Sequence, residues 1–200
     1  MAQRPRAIFI DTGTFWEFDD QGQPAPNSLY AASKRAFREI AAYYALRTQL
    51  SSLTLLLFDV YGPGDWRNKL LTALAANADS ERPFPMTPGA QQLVPVHVCD
   101  VAAGYLHAYE RLANSQEVQT GHEVFALDPG LRISLRDLVQ RMETLCGRSL
   151  NVEWGALPYR DNQIFSPAQC APTLPGWSAQ ITLDVGLKEL WNQPILSSSG

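Results

Sequence analysis

Two hundred residues with 46% hydrophobic content suffice for one packed domain, or a large part of one, and exclude a disordered chain. Sixteen Lys and Arg against twenty Asp and Glu leave a formal charge of −4 with the cations scattered, which excludes a nucleic-acid surface. The apolar run behind the N-terminal arginines is only Ala7-Ile8-Phe9-Ile10, too short for a signal-peptide core or a membrane span, so a cytoplasmic protein without membrane association is expected.

In chain order, Ala7 to Thr12 reads as a short strand, followed by Gly13 and a polar, aromatic loop to Pro26. Asn27 or Ser28 is placed to cap a helix from about Leu29 to Arg47. On that helix Leu29, Ala32, Ala36, Phe37, Ile40, Ala41 and Tyr44 recur at three-to-four spacing, which predicts a buried face. Leu53 to Phe58 is a continuous apolar run ending at Tyr61-Gly62-Pro63-Gly64, as in a strand covered on both faces of a parallel sheet. Strand, helix and strand together predict a right-handed crossover.

Asp65 is then expected to cap a helix running to about Ala78, and Pro83, Pro85 and Pro88 to force an extended segment. A short strand near Val94 to Val98 leads to a helix from Asp100 to Leu112, and His122 to Leu127 reads as another buried strand. Ser134 with Asp137 three residues later opens a helix that should end at Gly147. Asn151 to Trp154 is one more short strand, Gly155 to Gly176 an irregular Pro-rich stretch, and Leu183 to Trp191 a last helix before a tail, Ser197 to Gly200, expected to fray. Cys99, Cys146 and Cys170 are odd in number and lack C-x-x-C spacing, which predicts reduced thiols. His97, Cys99, Asp100 and His107 match no familiar zinc spacing, so no metal is expected.

The stretch with chemistry in it is Asn27-Ser28-Leu29-Tyr30-Ala31-Ala32-Ser33-Lys34. Tyr30 and Lys34 lie one helical turn apart on a common face. A phenol titrates near pH 10, and a neighbouring ammonium favours its ionised form, so such a pair can serve as an acid/base. With seven Tyr and the three lysines Lys34, Lys69 and Lys188, chance supplies about 0.1 such pairs, which makes the spacing informative without making it decisive.

Five pieces then fall in a familiar order: Thr12-Gly13-Thr14, Tyr30-x-x-x-Lys34, Leu57-Phe58-Asp59-Val60-Tyr61-Gly62-Pro63-Gly64, Val96-His97-Val98-Cys99-Asp100-Val101-Ala102 and Leu174-Pro175-Gly176-Trp177. Together they resemble the extended short-chain dehydrogenase/reductases, the NAD(P)-dependent nucleotide-sugar epimerases and dehydratases, over nearly the whole chain. Tyr61-Gly62-Pro63-Gly64-Asp65-x-Arg67-x-Lys69 and Met86-Thr87-Pro88-Gly89-x-Gln91 look most like the branch that contains the CDP-abequose synthases and other 4-ketoreductases of 6-deoxy-sugar nucleotides.

The resemblance implies an α/β fold, the C-terminal part of a Rossmann-type doubly wound parallel sheet with a small mixed α/β substrate lobe. The Rossmann part would take residues about 1–62 and 92–128, the lobe about 63–91 and 129–196. It implies Tyr30 as acid/base, Lys34 as the residue that lowers its pKa and binds the nicotinamide ribose, and Thr12 as holder of the substrate oxygen, with Thr14 next in line. A strand-end threonine needs no such role, since β-branched residues favour strands. NAD or NADP is the implied cofactor, with Phe58 and Val60 beside it. The implied partner is a nucleotide-sugar substrate, and a homodimer is allowed.

Three departures accompany the resemblance. The family opens with a G-x-x-G-x-x-G turn that cradles the cofactor pyrophosphate, and no such turn occurs here, so roughly the first hundred residues of the family pattern are expected to be missing. Asp59 stands where the family usually has Asn near the substrate phosphates. Leu93 stands where the family has a phosphate-binding Arg, a contact leucine cannot make, which leaves Arg67, Lys69 or Arg160 to bind phosphate. Two readings result: a sugar-nucleotide reductase or epimerase of which this chain is the C-terminal two-thirds, inactive in isolation, or a non-catalytic remnant serving as a binding or interaction module.

Overall fold

The structure, a computed structural model, describes residues 7–48, 50–65, 67, 69–114 and 121–192. The tail expected to fray lies outside the described residues. In chain order the elements are β1 (Ile8–Thr14), a 3-10 turn (Phe15–Glu17), α1 (Leu29–Arg47), β2 (Ser51–Leu57), β3 (Asp59–Tyr61), α2 (Leu70–Ala76), β4 (Phe84–Met86), β5 (Gln92–Leu93), β6 (Pro95–His97), α3 (Val98–Asn114), β7 (His122–Ala126), β8 (Ile133–Ser134), α4 (Leu135–Cys146), β9 (Val152–Trp154) and α5 (Leu183–Trp191).

The organising sheet is parallel, with strand order β1-β2-β7 and Thr12 opposite Leu55, itself opposite Phe125. Its middle strand is β2, buried at Ser51 to Leu56, as expected for a run covered on both faces. On one face Leu53 and Leu55 pack with Val101, Ala108 and Leu112 of α3. On the other, Leu56 and Ala126 join Phe15, Phe58, Val94 and Ile164. A separate core unites α2, α4 and α5, with Leu74, Leu138 and Leu187 at its centre. Three two-stranded ladders complete the architecture: β3 with β6 and β4 with β9 are parallel, β5 with β8 antiparallel. Among the described residues no helix is long and apolar enough to cross a membrane.

Several local signals act as the sequence predicts. Ser28 caps α1, its Oγ accepting from Ala31 N at 3.2 Å. Ser134 Oγ accepts from Asp137 N at 3.0 Å, and α4 ends on Gly147 with φ 67°, a left-handed conformation that glycine adopts without a Cβ clash.

Two expectations need correction. The apolar stripe on α1 is mostly exposed: Leu29 is 87% and Ile40 52% accessible, and the residues turned inward are Ala31, Arg38, Ala41 and Ala45. The helix seats on the sheet through small side chains, which permit close approach. Asp65 does not cap α2. Its Oδ1 accepts from Arg67 N at 3.1 Å, closing a local turn, and the helix begins only at Leu70.

Candidate active site

Thr12 lies near the end of β1 and is only half-buried. Its hydroxyl meets the phenolic oxygen of Tyr105, which reaches across from α3. Thr14, two residues on, is buried and occupied locally: its Oγ1 accepts from Trp16 N at 3.3 Å, and its N–H donates to Glu17 Oε1 at 3.0 Å. This reciprocal cap is legible in the Thr14-x-x-Glu17 spacing, which the sequence reading missed. Gly13 between them leaves room for it. A Cβ there would lie 2.6 Å from Leu56 Cδ2 and 3.0 Å from Glu17 Oε1.

Glu17 is fully buried, and burial pushes its pKa up. Its Oε2 lies 3.0 Å from Arg38 Nη2 on α1, one turn beyond Lys34. The loop carrying Thr14 and the helix carrying Tyr30 are thus tied by a buried ion pair, a contact whose loss of one partner would strand a charge. Asn27 N donates to Trp16 O at 3.1 Å, and the Trp16 ring stands edge-on to Tyr30 with centroids 6.3 Å apart. Tyr30 is 52% accessible, and Lys34 Nζ lies 6.0 Å from its ring centroid, as the shared helical face requires.

A cleft of about 240 Å³ is lined by Val60, Gly62, Pro63, Asp65, Arg67 and Val98, among others, and Thr12, Tyr30 and Lys34 are not among its lining residues. Asp65 grips Arg67 in a two-pronged bond, Nε to Oδ1 at 2.7 Å and Nη2 to Oδ2 at 3.0 Å. These bonds raise the guanidinium pKa and lower that of Asp65. Burial raises the pKa of Tyr105.

The other predicted site residues are placed differently. Phe58 is buried, its ring stacked on Phe15 with centroids 5.2 Å apart, and the structure does not bring it to the cleft. Asp59 points inward: its Oδ2 accepts from Val94 N at 2.8 Å, and burial raises its pKa against the opposing influence of Lys69. Lys69 precedes α2. Arg160 is exposed on the irregular stretch. Leu93 packs against the lobe core.

The two remaining sequence pieces lock to each other. The Asp100 carboxylate accepts from Gln180 N and Ile181 N, each at 3.0 Å, and Trp177 Nε1 donates to the Asp100 carbonyl at 2.9 Å. Val-His-Val-x-Asp and Leu-Pro-Gly-Trp therefore fasten the irregular stretch to α3. Tyr105 is the site residue that no local signal could have found, since its partner is 93 positions away.

A parallel sheet with a threonine near the end of β1, beside a helix that carries Tyr-x-x-x-Lys, makes this an α/β domain. The chain belongs to the NAD dependent epimerase/dehydratase family, whose pattern it matches over residues 10–122, more than half its length. It is similar to the CDP-abequose synthase of Salmonella typhimurium (strain LT2), with 31% identity over 188 residues, covering 92% of this chain and 61% of that protein. The CDP-abequose synthase of Yersinia pseudotuberculosis is 22% identical over 160 residues, covering 80% of this chain and 54% of that protein. Among solved structures, MoeE5 in complex with UDP-glucuronic acid and NAD superposes with a TM-score of 0.77 at 22% identity, over 92% of this chain and 63% of that one. The UDP-glucose 4-epimerase of Thermus thermophilus in complex with NAD gives 0.72 at 18% identity, over 92% and 63%. The chain thus spans less than two thirds of the relatives named here.

Proposed function

We propose that the protein carrying this chain is an NAD(P)-dependent oxidoreductase that reduces the 4-keto group of a 6-deoxy-sugar nucleotide, with Tyr30 as proton donor. The observation that carries this reading is the Tyr30–Lys34 pair on the open flank of α1, with Thr12 on the adjoining strand β1, in a chain 31% identical to a CDP-abequose synthase over 188 residues.

The residues present fit one end of the cofactor. Lys34 offers an ammonium for ribose hydroxyls and Val60 an apolar wall in the cleft, whereas the chain holds no glycine-rich turn for the pyrophosphate. When bound, the nicotinamide supplies hydride to the carbonyl carbon. Tyr30 gives its phenolic proton to the oxygen on which negative charge develops, with Lys34 on the same helical face. Thr12 holds that oxygen by a hydrogen bond that strengthens as the charge grows. Thr14 is buried within its own loop, whereas Thr12 is only half-buried, which favours Thr12 for the task. Arg67, held in place by Asp65, is oriented for a substrate phosphate, with Lys69 and Arg160 as further cations. Asp59 turns its carboxylate onto the Val94 N–H, a bond that ties up one of its oxygens.

The division into a Rossmann part and a substrate lobe belongs to this proposal, supported by the separation of the lobe core from the two sheet cores. So do a cytoplasmic location and a homodimer. The test is oxidation of NADH or NADPH in the presence of a 4-keto-6-deoxy-sugar nucleotide by the full-length protein carrying this chain. Substrate-dependent oxidation that Tyr30→Phe abolishes supports the reading, and oxidation that survives Tyr30→Phe at full rate overturns it.

A further inference from the structure

The hydroxyl of Thr12 has one proton and two lone pairs, so its usefulness to a substrate depends on where that proton points. If Thr12 donates to a protein group, it has nothing to give a carbonyl oxygen. The structure pairs it with Tyr105, a phenol carried in the middle of α3. That pairing follows from how α3 seats. Gly104 lies so close to the end of β7 that a Cβ would come within 2.6 Å of Leu127 Cδ1, and Val101 and Ala108, one turn to either side, are buried. The helix is therefore held near the sheet, and the Tyr105 ring packs against the core of Leu53, Leu55 and Phe125. Its hydroxyl ends at Thr12.

The direction of the bond follows from acidity. A phenol is a stronger donor than an aliphatic alcohol, and burial keeps Tyr105 protonated through the neutral range. Tyr105 then donates and Thr12 Oγ1 accepts, which leaves the threonine proton free and polarised by the bond it receives. We propose that Tyr105 is a positioning residue that turns the Thr12 hydroxyl outward as a donor to the substrate's carbonyl oxygen. The inference rests on the reading of Thr12 as the holder of that oxygen, and it adds a residue 93 positions away in sequence to the site.

The test has two arms. In the 200-residue chain labelled with ¹³C at the tyrosine Cζ, the Tyr105 resonance is identified by its loss in Tyr105→Phe and followed against pH. Thr12→Val should move that resonance and raise the pH at which it titrates, while Thr12→Ser leaves it near its original position. A resonance unmoved by Thr12→Val overturns the pairing. In the full-length protein, Tyr105→Phe should lower kcat about tenfold, the scale of one hydrogen bond, with KM within about twofold. The double variant with Thr12→Val should be no slower than Thr12→Val alone. An unchanged kcat, or losses that multiply in the double variant, overturns the positioning role. If no turnover is found at all, the functional reading fails, and the resonance arm, which needs no substrate, still decides the pair.

Discussion

Helix α4 buries Leu135, Leu138, Val139 and Met142 against the lobe core, whereas α1 turns Ala31, Arg38, Ala41 and Ala45 to the sheet and leaves Ile40, Tyr43 and Tyr44 more than half accessible. Both helices carry an apolar stripe of helical period. In α4 that stripe is the packing face. In α1 the large apolar side chains lie outside, and the contact is made by alanines and one arginine. The difference teaches that periodicity locates an apolar side without saying what covers it. It also has a functional side. A helix seated on alanines lies close to the strand it follows, and the Glu17–Arg38 pair fixes it to the Thr14 loop. Tyr30 is left on the flank, half open for a reacting group, while α4 turns its apolar stripe into the lobe core and serves as scaffold.

Breaking α4 should produce the largest change. Leu138 is fully buried, and Leu138→Ala removes its transfer energy and leaves a cavity, for an expected loss of about 3 kcal/mol in urea unfolding. On α1 the large effect is on turnover instead. Tyr30→Phe should lower kcat about 10²-fold or more with the thermal midpoint unchanged. Lys34→Met should cost at least as much and also weaken cofactor binding, and Thr12→Val should cost less, each read from steady-state kinetics of the full-length protein. The close seating of α1 is tested by Ala45→Leu, which should overpack the sheet face and destabilise by about 2 kcal/mol.

The α1 interface also covers a histidine, which predicts a pH dependence there near neutrality. Beneath α1, His122 Nδ1 lies 2.8 Å from Ser52 Oγ and its Nε2 2.8 Å from Thr54 Oγ1. Burial lowers its pKa from 6.5, opposed by Asp11, Glu39 and Glu123 and reinforced by Arg38. A base whose pKa is depressed by folding binds fewer protons folded than unfolded. Its contribution is therefore unperturbed above pH 6.5 and is lost as pH falls from there toward the folded value. His122→Gln should flatten that part of the stability profile measured by urea unfolding between neutral and mildly acidic pH. The smallest effect belongs to the outer face: Ile40→Ser, at a position 52% accessible, should change unfolding by no more than about 0.5 kcal/mol.

How much was legible follows from which interactions are local. The span Leu29–Arg47, the Ser28 and Ser134 caps, the Gly147 stop, the last helix Leu183–Trp191 and the parallel run through Leu53 to Leu57 were all readable in the chain. Caps, turn glycines and apolar runs act over a few residues, and so does the Tyr30–Lys34 spacing. The sequence by itself therefore determined the five helices, the strands β1, β2, β6, β7 and β9 and the candidate acid/base pair, while the short strands β3, β5 and β8 exist only through their ladder partners. Only the tertiary structure decided that Ala31, Arg38 and Ala45, not Ile40 and Tyr44, face the sheet, and that Phe58 stacks on Phe15 in the core. It also brought Thr12 to Tyr105, 93 positions away. These outcomes depend on how elements distant in sequence dock, and the free energy that selects one docking is a sum over many weak contacts that no short stretch of the chain contains.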